Sequence, residues 1–381
     1  MADFIFKISP NVILGSYTSS RLGQFAKEWG TRFMILVDPI LDEFGITNKV
    51  TSALQERNVD FILYDEIPTA PDTSVIERVL ALAKDSHIHG IIAVGGTRIS
   101  NLARTVSALF HELHTVYDFL EGATPSTNAL PLILVPTTLC DPFIFSDRTP
   151  IIDGRNRHVK MFRTQQGLCK LAIFDPSLTV SFTDSQHTSM MLHTLCIAVE
   201  AYCSQRSNYF SDGIIEKALS ILGSVIHDTD EVLPNPREDI FVQASSLISL
   251  AAACSSIGVG SGVSLAINAR HKISRSLIST VMFPHMIEEI ATYKTERLVK
   301  IVDLLKLDVH ATTNSEKIAA LTEFVRNRIA LRNLPARLKD LSITMEQLGI
   351  VAENTAELAG MYSFSRSMTA DDIFDMIKSA Y

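Results

Sequence analysis

Paired cysteines are missing from this chain. Its five cysteines (Cys140, Cys169, Cys196, Cys203 and Cys254) form no Cys-x-x-Cys couple and no regular framework. That excludes a disulfide scaffold and fits reduced thiols in a cytoplasmic compartment. Cys196 and Cys203 lie two helical turns apart and read as core packing. Basic runs are missing too: 34 Lys and Arg stand against 42 Asp and Glu, for a net charge of −8. With no basic patch interleaved with aromatics, nucleic acid is excluded as an expected partner. The opening "MADFIFKISPNVILG" lacks the charged start and long apolar core of a signal peptide. Serines and glycines interrupt the small-residue stretch "SSLISLAAACSSIGVGSGVSLAI" (245–267), which reads as one buried helix rather than a membrane span.

What is present is ample apolar material, 46% of 381 residues, enough for a large core and more than one domain. The first 175 residues alternate two textures. Continuous apolar runs fit strands covered on both faces: "RFMILVD" (32–38), "DFILYDEI" (60–67), "HGIIAVGG" (89–96), "LPLILVPTT" (130–138) and "KLAIFDP" (170–176). Between them lie helical patterns, such as 19–30 and 73–87. Strand–helix–strand alternation predicts a doubly wound parallel sheet, with ligands at the carboxyl ends of its strands. After 174–183 helical patterns take over, at 187–204, 212–227, 240–257, 286–305 and 315–331. "NLPARL" (333–338) breaks the series, and "TADDIFDMIKSA" (369–380) closes it with Thr369 as N-cap. The expected organisation is an α/β domain over 1–178 and an all-α domain over 179–381, with a ligand cleft between them.

One stretch bears on chemistry directly. In "IIAVGGTRISNLAR" (91–104) a buried strand runs into Gly95–Gly96 and then a helix. Glycine lets backbone approach a phosphate, and the free N–H groups of a helix start favour negative charge. Two glycines alone define a turn as readily as a phosphate loop.

The whole chain, however, resembles the iron-containing (group III) alcohol dehydrogenase superfamily, which shares its fold with glycerol dehydrogenase and dehydroquinate synthase. Residues 68–104 are similar to that family's Pro-rich turn, helix and GGGSxxDxAK loop. "PLILVPTT" (131–138) resembles the strand before TTxGTGSE, residues 197–221 resemble HAxEAYxS followed by NPxxDxxAxxAI, "FPHMIEEI" (283–290) resembles LPHxxxxN, and 368–381 the C-terminal helix. The resemblance implies an NAD or NADP cofactor. Gly95, Gly96 and Thr97 would cradle the pyrophosphate, with Arg98 supplementing it, and Asn101 stands where the family has Asp. Thr137 and Thr138 keep the TT pair. Asp38 would meet the adenosine ribose, and because a carboxylate there repels a 2′-phosphate, it favours NAD. The GTGSE segment is replaced by "LCDPF" (139–143).

The family's metal ligands, one Asp and three His, are also replaced. By the resemblance His193 takes the Asp position, Ile197 and Val263 two His positions, and Arg275 the last. Ile and Val cannot ligate, and Arg is a fixed cation, so no metal is expected; a rescue would need His193, His271 and His285. The family's maleylacetate reductase branch works without metal, and "DGRNRHVKMF" (153–162) faintly resembles its DGRK-type loop. Arg275 would then polarise a substrate carbonyl, His193 would donate a proton from an ordinary pKa near 6.5, and His271 and Lys272 would lie nearby. The expected function is a metal-independent reductase of a small carbonyl or acid. The alternatives are a non-redox lyase, cyclase or isomerase on the same fold, or a non-catalytic homologue. The resemblance also implies a homodimer, which a solution mass of two chains at micromolar concentration would verify and a single-chain mass would refute.

Overall fold

The computed structural model describes residues 9–179, 183–227, 235–307, 310–358 and 363–381. The chain divides into two compact units, Met1–Ser181 and Phe182–Tyr381.

In the first unit six strands form one parallel sheet: β1 (Asn11–Leu14), β2 (Arg32–Val37), β3 (Asp60–Tyr64), β4 (Gly90–Gly95), β5 (Leu132–Pro136) and β8 (Cys169–Phe174). Their spatial order is β1-β8-β5-β4-β2-β3. The expected doubly wound parallel sheet is thus present, and its helices are α1 (Leu22–Ala26), α2 (Ile40–Glu43), α3 (Ile46–Gln55), α4 (Thr73–Asp85), α5 (Thr97–Leu109) and α6 (Val116–Leu120). Alternate residues on four strands (Ile35 and Val37, Ile92 and Val94, Ile133 and Val135, Leu171 and Ile173) share one apolar layer with Leu22, Val50 and Leu54 of α1 and α3. The intervening Met34, Leu36, Ile91, Ala93, Leu132 and Leu134 are buried as well. Both faces are therefore covered, which is why these strands read as unbroken apolar runs.

Between β5 and β8 the chain forms an antiparallel hairpin, β6 (Arg148–Ile152) and β7 (Val159–Arg163). Its turn lies within "DGRNRHVKMF". Asp153 is fully buried there and receives Nε and Nη2 of Arg155. Gly154 N–H donates to Thr73 Oγ1 at 3.0 Å, and Arg157 bonds Asp72 at 2.6 Å. These bonds tie the turn to the start of α4.

The second unit is helical: α7 (Asp184–Cys203), α8 (Tyr209–Leu222), α9 (Arg237–Cys254), α10 (Val259–His271), α11 (Arg275–Leu304), α12 (Asn314–Leu331), α13 (Met345–Glu357) and α14 (Ala370–Ser379). Thr369 caps α14 by accepting from Asp372 N–H, as its sequence predicts. From Met191 to Cys203 every residue of α7 is buried, the pattern of a helix surrounded by others. It packs against α8, α9, α10, α11 and α12.

The single buried helix expected over 245–267 is two helices, broken at Ser255–Gly258. The break has a partner. Glu200 of α7, fully buried, accepts from Ser261 N–H at 3.0 Å and Ser261 Oγ at 2.5 Å, and from the N–H groups of Gly258 and Gly260. A carboxylate thus satisfies the otherwise orphaned donors of the α10 N-terminus. The glycines make room for it, because a Cβ at Gly258 would lie 2.6 Å from Glu200 Oε1. Glu200→Ala strands several buried donors and should cost about 3 kcal/mol of stability. Chemical denaturation measures this, and an unchanged midpoint would remove Glu200 from that role.

Candidate active site

The order of the sheet locates the first part of the site. From β2 the chain goes outward to β3, then crosses back to β4 on the other side of β2. The connections therefore diverge between β2 and β4, where doubly wound sheets open a crevice at the strands' carboxyl ends. Asp38 follows β2, Gly95 and Gly96 end β4, and Thr137 and Thr138 follow β5 on its other flank. Backbone bonds fasten the three ends: Asp38 N–H to Val94 O at 3.0 Å, and Thr137 N–H to Gly95 O at 3.2 Å.

Gly95 has φ +152°, and a Cβ there would come within 2.6 Å of Ile99 Cγ1. At Gly96 a Cβ would meet Thr138 Cγ2 at 2.9 Å. The pair thus answers to packing as well as to any ligand. Gly96 has no side chain to cap α5, whereas Asp72 caps α4 by accepting from Ser74 N–H. The first-turn N–H groups of α5, at Thr97 and Arg98, can therefore accept an anion such as a pyrophosphate.

Two residues depart from expectation. Arg98 turns onto Asp38: Nη2 lies 2.5 Å from Oδ1 and Nε 3.2 Å from Oδ2. The carboxylate expected to stand alone at the ribose is half of a bidentate ion pair. Asn101, expected at the cofactor, is 9% exposed and its Oδ1 accepts from Thr149 Oγ1 at 3.0 Å. It is engaged within the unit because its helix face is the one packed against β6.

The "LCDPF" segment packs on that same helix. Asp141, buried, accepts from Ser100 Oγ at 2.5 Å and from Phe143 N–H at 3.0 Å. Arg104, 2% exposed, donates its two Nη groups to the carbonyls of Phe143 and Ser146. Burial lowers its pKa, while the charge of Asp141 opposes that shift. Ser100, Arg104 and Asp141 carry no motif in the sequence: the i, i+4 spacing of Ser100 and Arg104 on α5 is visible there, but their partners in the 141–146 segment are not.

The helical unit carries the other residues that the resemblance singles out. His193 on α7 is 7% exposed, and its Nδ1 is 2.9 Å from Ser279 Oγ on α11. One turn earlier Ser189 meets Ser276 across the same pair of helices. Arg275 opens α11, near enough that its charge acts on His193. A cation at a helix N-terminus is opposed by the dipole. Ile197 and Val263 are fully buried. His271 ends α10, and its Nε2 is shut off from solvent with no hydrogen-bond partner among the described residues. His285 is tied elsewhere, with Nδ1 at 3.1 Å from Ser379 Oγ.

These residues do not fit a metal ion. At the positions that the family resemblance assigns to ligands stand Ile197, Val263, Arg275 and His193; the first three cannot ligate, and Nδ1 of His193 is engaged by Ser279 Oγ. Among the described residues no cluster of three or more His, Cys, Asp or Glu is disposed to bind one. The proton-donor role expected of His193 also changes. Burial, and then the Arg275 charge, push its imidazole down to about 3, so it is neutral at pH 7. It can act through a hydrogen bond rather than as an imidazolium.

With this geometry in place, the comparisons with known proteins can be read. The chain belongs to the iron-containing alcohol dehydrogenase family. Residues 9–176 match the domain described as iron-containing alcohol dehydrogenase, and residues 187–381 match the C-terminal domain of the Fe-containing alcohol dehydrogenase family. Alcohol dehydrogenase 4 of Saccharomyces cerevisiae is 23% identical over 91% of this chain and 90% of its own length. The NAD-dependent methanol dehydrogenase of Bacillus methanolicus is 21% identical over 98% and 99%. Among solved structures, a 1,3-propanediol oxidoreductase superposes with a TM-score of 0.89 over 100% of both chains at 17% identity. The sulfoacetaldehyde reductase of Bifidobacterium kashiwanohense, in complex with NAD+, gives 0.82 at 14% identity, covering 100% of this chain and 99% of its own. No helix among the described residues is long and apolar enough to cross a membrane.

The depressed His193 pKa has a measurable consequence. An unfolded histidine takes up its proton near 6.5, whereas the folded one waits until about 3. Between those values the unfolded state binds more protons, so stability rises with pH and is lost on acidification. His193 alone should contribute a slope of roughly 1.4 kcal/mol per pH unit from pH 6 to 5. Denaturant unfolding across that range should show a shallower slope in His193→Gln, and identical slopes would contradict the buried neutral imidazole.

Proposed function

We propose that this chain is a metal-independent, NAD(P)-dependent oxidoreductase of the alcohol dehydrogenase type, acting on a small carbonyl or acid substrate. The observation that carries the reading is the convergence of Asp38, Gly95–Thr97 and Thr137–Thr138 on neighbouring strand ends at the divergence of the sheet's connections. NAD-dependent methanol dehydrogenase and NAD+-bound sulfoacetaldehyde reductase among the similar proteins support the cofactor class.

A bound dihydronicotinamide supplies the hydride. Thr97 and Arg98 N–H groups, at the uncapped start of α5, would hold its pyrophosphate charge, and the Thr137 and Thr138 hydroxyls would orient the dinucleotide. Reduction of a carbonyl places negative charge on its oxygen. Arg275 meets that charge as a permanent cation with a planar fork of donors, suited equally to a substrate carboxylate. His193 stays neutral. With Ser279 donating to Nδ1, its Nε2–H donates to the same oxygen, as a neutral imidazole does when its pKa is held low. The hydrocarbon of Ile197 and Val263 keeps water from the pair and strengthens both interactions. The homodimer implied by the family resemblance belongs to the same reading.

Fluorescence titration with NADH and NADPH tests the first half: quenching or enhancement that saturates below millimolar cofactor is expected, and none would overturn it. Elemental analysis of protein purified without chelator tests the second, with no stoichiometric iron or zinc expected; one tightly bound metal per chain would refute metal independence. With an identified carbonyl substrate, Arg275→Lys and His193→Ala should each lower turnover by about a hundredfold, the scale of one positioned electrostatic group. Full activity in both would leave the reaction to other residues.

A further inference from the structure

We propose that Arg98 is a specificity residue that admits a 2′-phosphorylated dinucleotide, so that this chain accepts NADP(H) despite Asp38. The inference rests on the dinucleotide reading above and concerns the adenosine end of that site.

An aspartate at the end of the second strand of such a sheet excludes a 2′-phosphate by repulsion, and accepts hydrogen bonds from ribose hydroxyls instead. Here the repulsion is cancelled locally. Arg98 Nη2 and Nε hold Oδ1 and Oδ2 of Asp38 at 2.5 and 3.2 Å, so the two side chains together carry no net charge. The pair stands in partial contact with solvent, with Arg98 28% and Asp38 13% exposed, so it remains open to a ligand. Arg98 Nη1 has no hydrogen-bond partner among the described residues. A guanidinium with one edge on a carboxylate and the other edge free is suited to a phosphate oxygen on its outer side. Asp38 also holds the guanidinium in place beforehand. Its Oδ1 is positioned in turn by Ile40 N–H at 3.4 Å and by the neighbouring strand end through Asp38 N–H. The arrangement depends on a difference of sign. A free aspartate selects against the 2′-phosphate, and the paired aspartate orients the cation that binds it.

The test uses fragments that carry only the adenosine end: adenosine 2′,5′-bisphosphate and 5′-AMP, titrated calorimetrically into the full chain. The bisphosphate should bind the wild type at least as tightly as 5′-AMP. Arg98→Ala bares the Asp38 charge, so it should weaken the bisphosphate by about tenfold or more while 5′-AMP changes by less than about twofold. Asp38→Asn keeps the shape, removes the charge, and should tighten the bisphosphate several-fold, about the scale of one relieved like-charge contact. NADPH and NADH titrated into the same variants should follow the same order. Circular dichroism and an unchanged unfolding midpoint establish that each variant is folded. Equal weakening of both fragments in Arg98→Ala, or equal tightening, would overturn the proposal and make Arg98 a general anchor or a plug. Failure of both fragments and both dinucleotides to bind the wild type would overturn it together with the dinucleotide reading.

Discussion

A parallel sheet buried on both faces has one place left for polar chemistry, the ends of its strands. In this chain β2, β4 and β5 are apolar and almost wholly enclosed along their length, so every ionisable group of the first unit's site must follow a strand's last residue. The order of the strands then decides which ends adjoin. Because the chain reverses direction across the sheet between β2 and β4, Asp38 and the Gly95–Gly96 turn become neighbours. Everything proposed for the nucleotide site follows from that constraint. The Arg98–Asp38 pair follows from it too, since only a residue opening α5 can reach the end of the next strand.

The helical unit obeys a different economy. Its central helix α7 has no solvent face over its second half, so its polar side chains must find partners within the protein. Ser189 finds Ser276, His193 finds Ser279, and Glu200 finds the start of α10. In a relative with a metal, the same inward positions can carry ligands, because an ion satisfies buried polar groups as well as a hydroxyl does. Here hydrocarbon fills two of them and a guanidinium a third. The remaining imidazole is bonded to Ser279, and burial, with the Arg275 charge, holds it neutral. A fixed positive charge of this kind suits an oxygen on which negative charge develops.

The rewritten "LCDPF" segment shows how local departures from a family pattern are absorbed. Compliant glycines would leave this loop free to move. In their place Asp141 locks onto Ser100, and Arg104 reaches round to the carbonyls beyond it. The floor beside Thr137 and Thr138 is thus held by buried polar bonds to α5, the same helix whose first turn would meet a phosphate. Rigidity of the loop and placement of the helix have become one property.

By itself the sequence determined the elements and their burial. Unbroken apolar runs mark strands covered on both faces, and Thr369 before "ADDIFDMI" marks a helix start, because both signals are local in the chain. It also singled out Asp38, Gly95–Gly96, Thr137–Thr138, His193 and Arg275 as candidate positions for chemistry, through the residues at which the chain keeps or departs from the family pattern. It did not disclose the β6–β7 hairpin, whose short strands carry Pro150 and charged residues and so lack an apolar signature. Nor did it reveal the break at Ser255–Gly258, since a run of small residues looks alike whether one helix continues or two meet. Only the tertiary structure decided the partners. Arg98 and Asp38 are 60 residues apart, and His193 and Ser279 are 86 apart. A charge's sign and a histidine's pKa at pH 7 depend on what stands within a few ångströms, which strand order and helix packing set and periodicity along the chain does not encode.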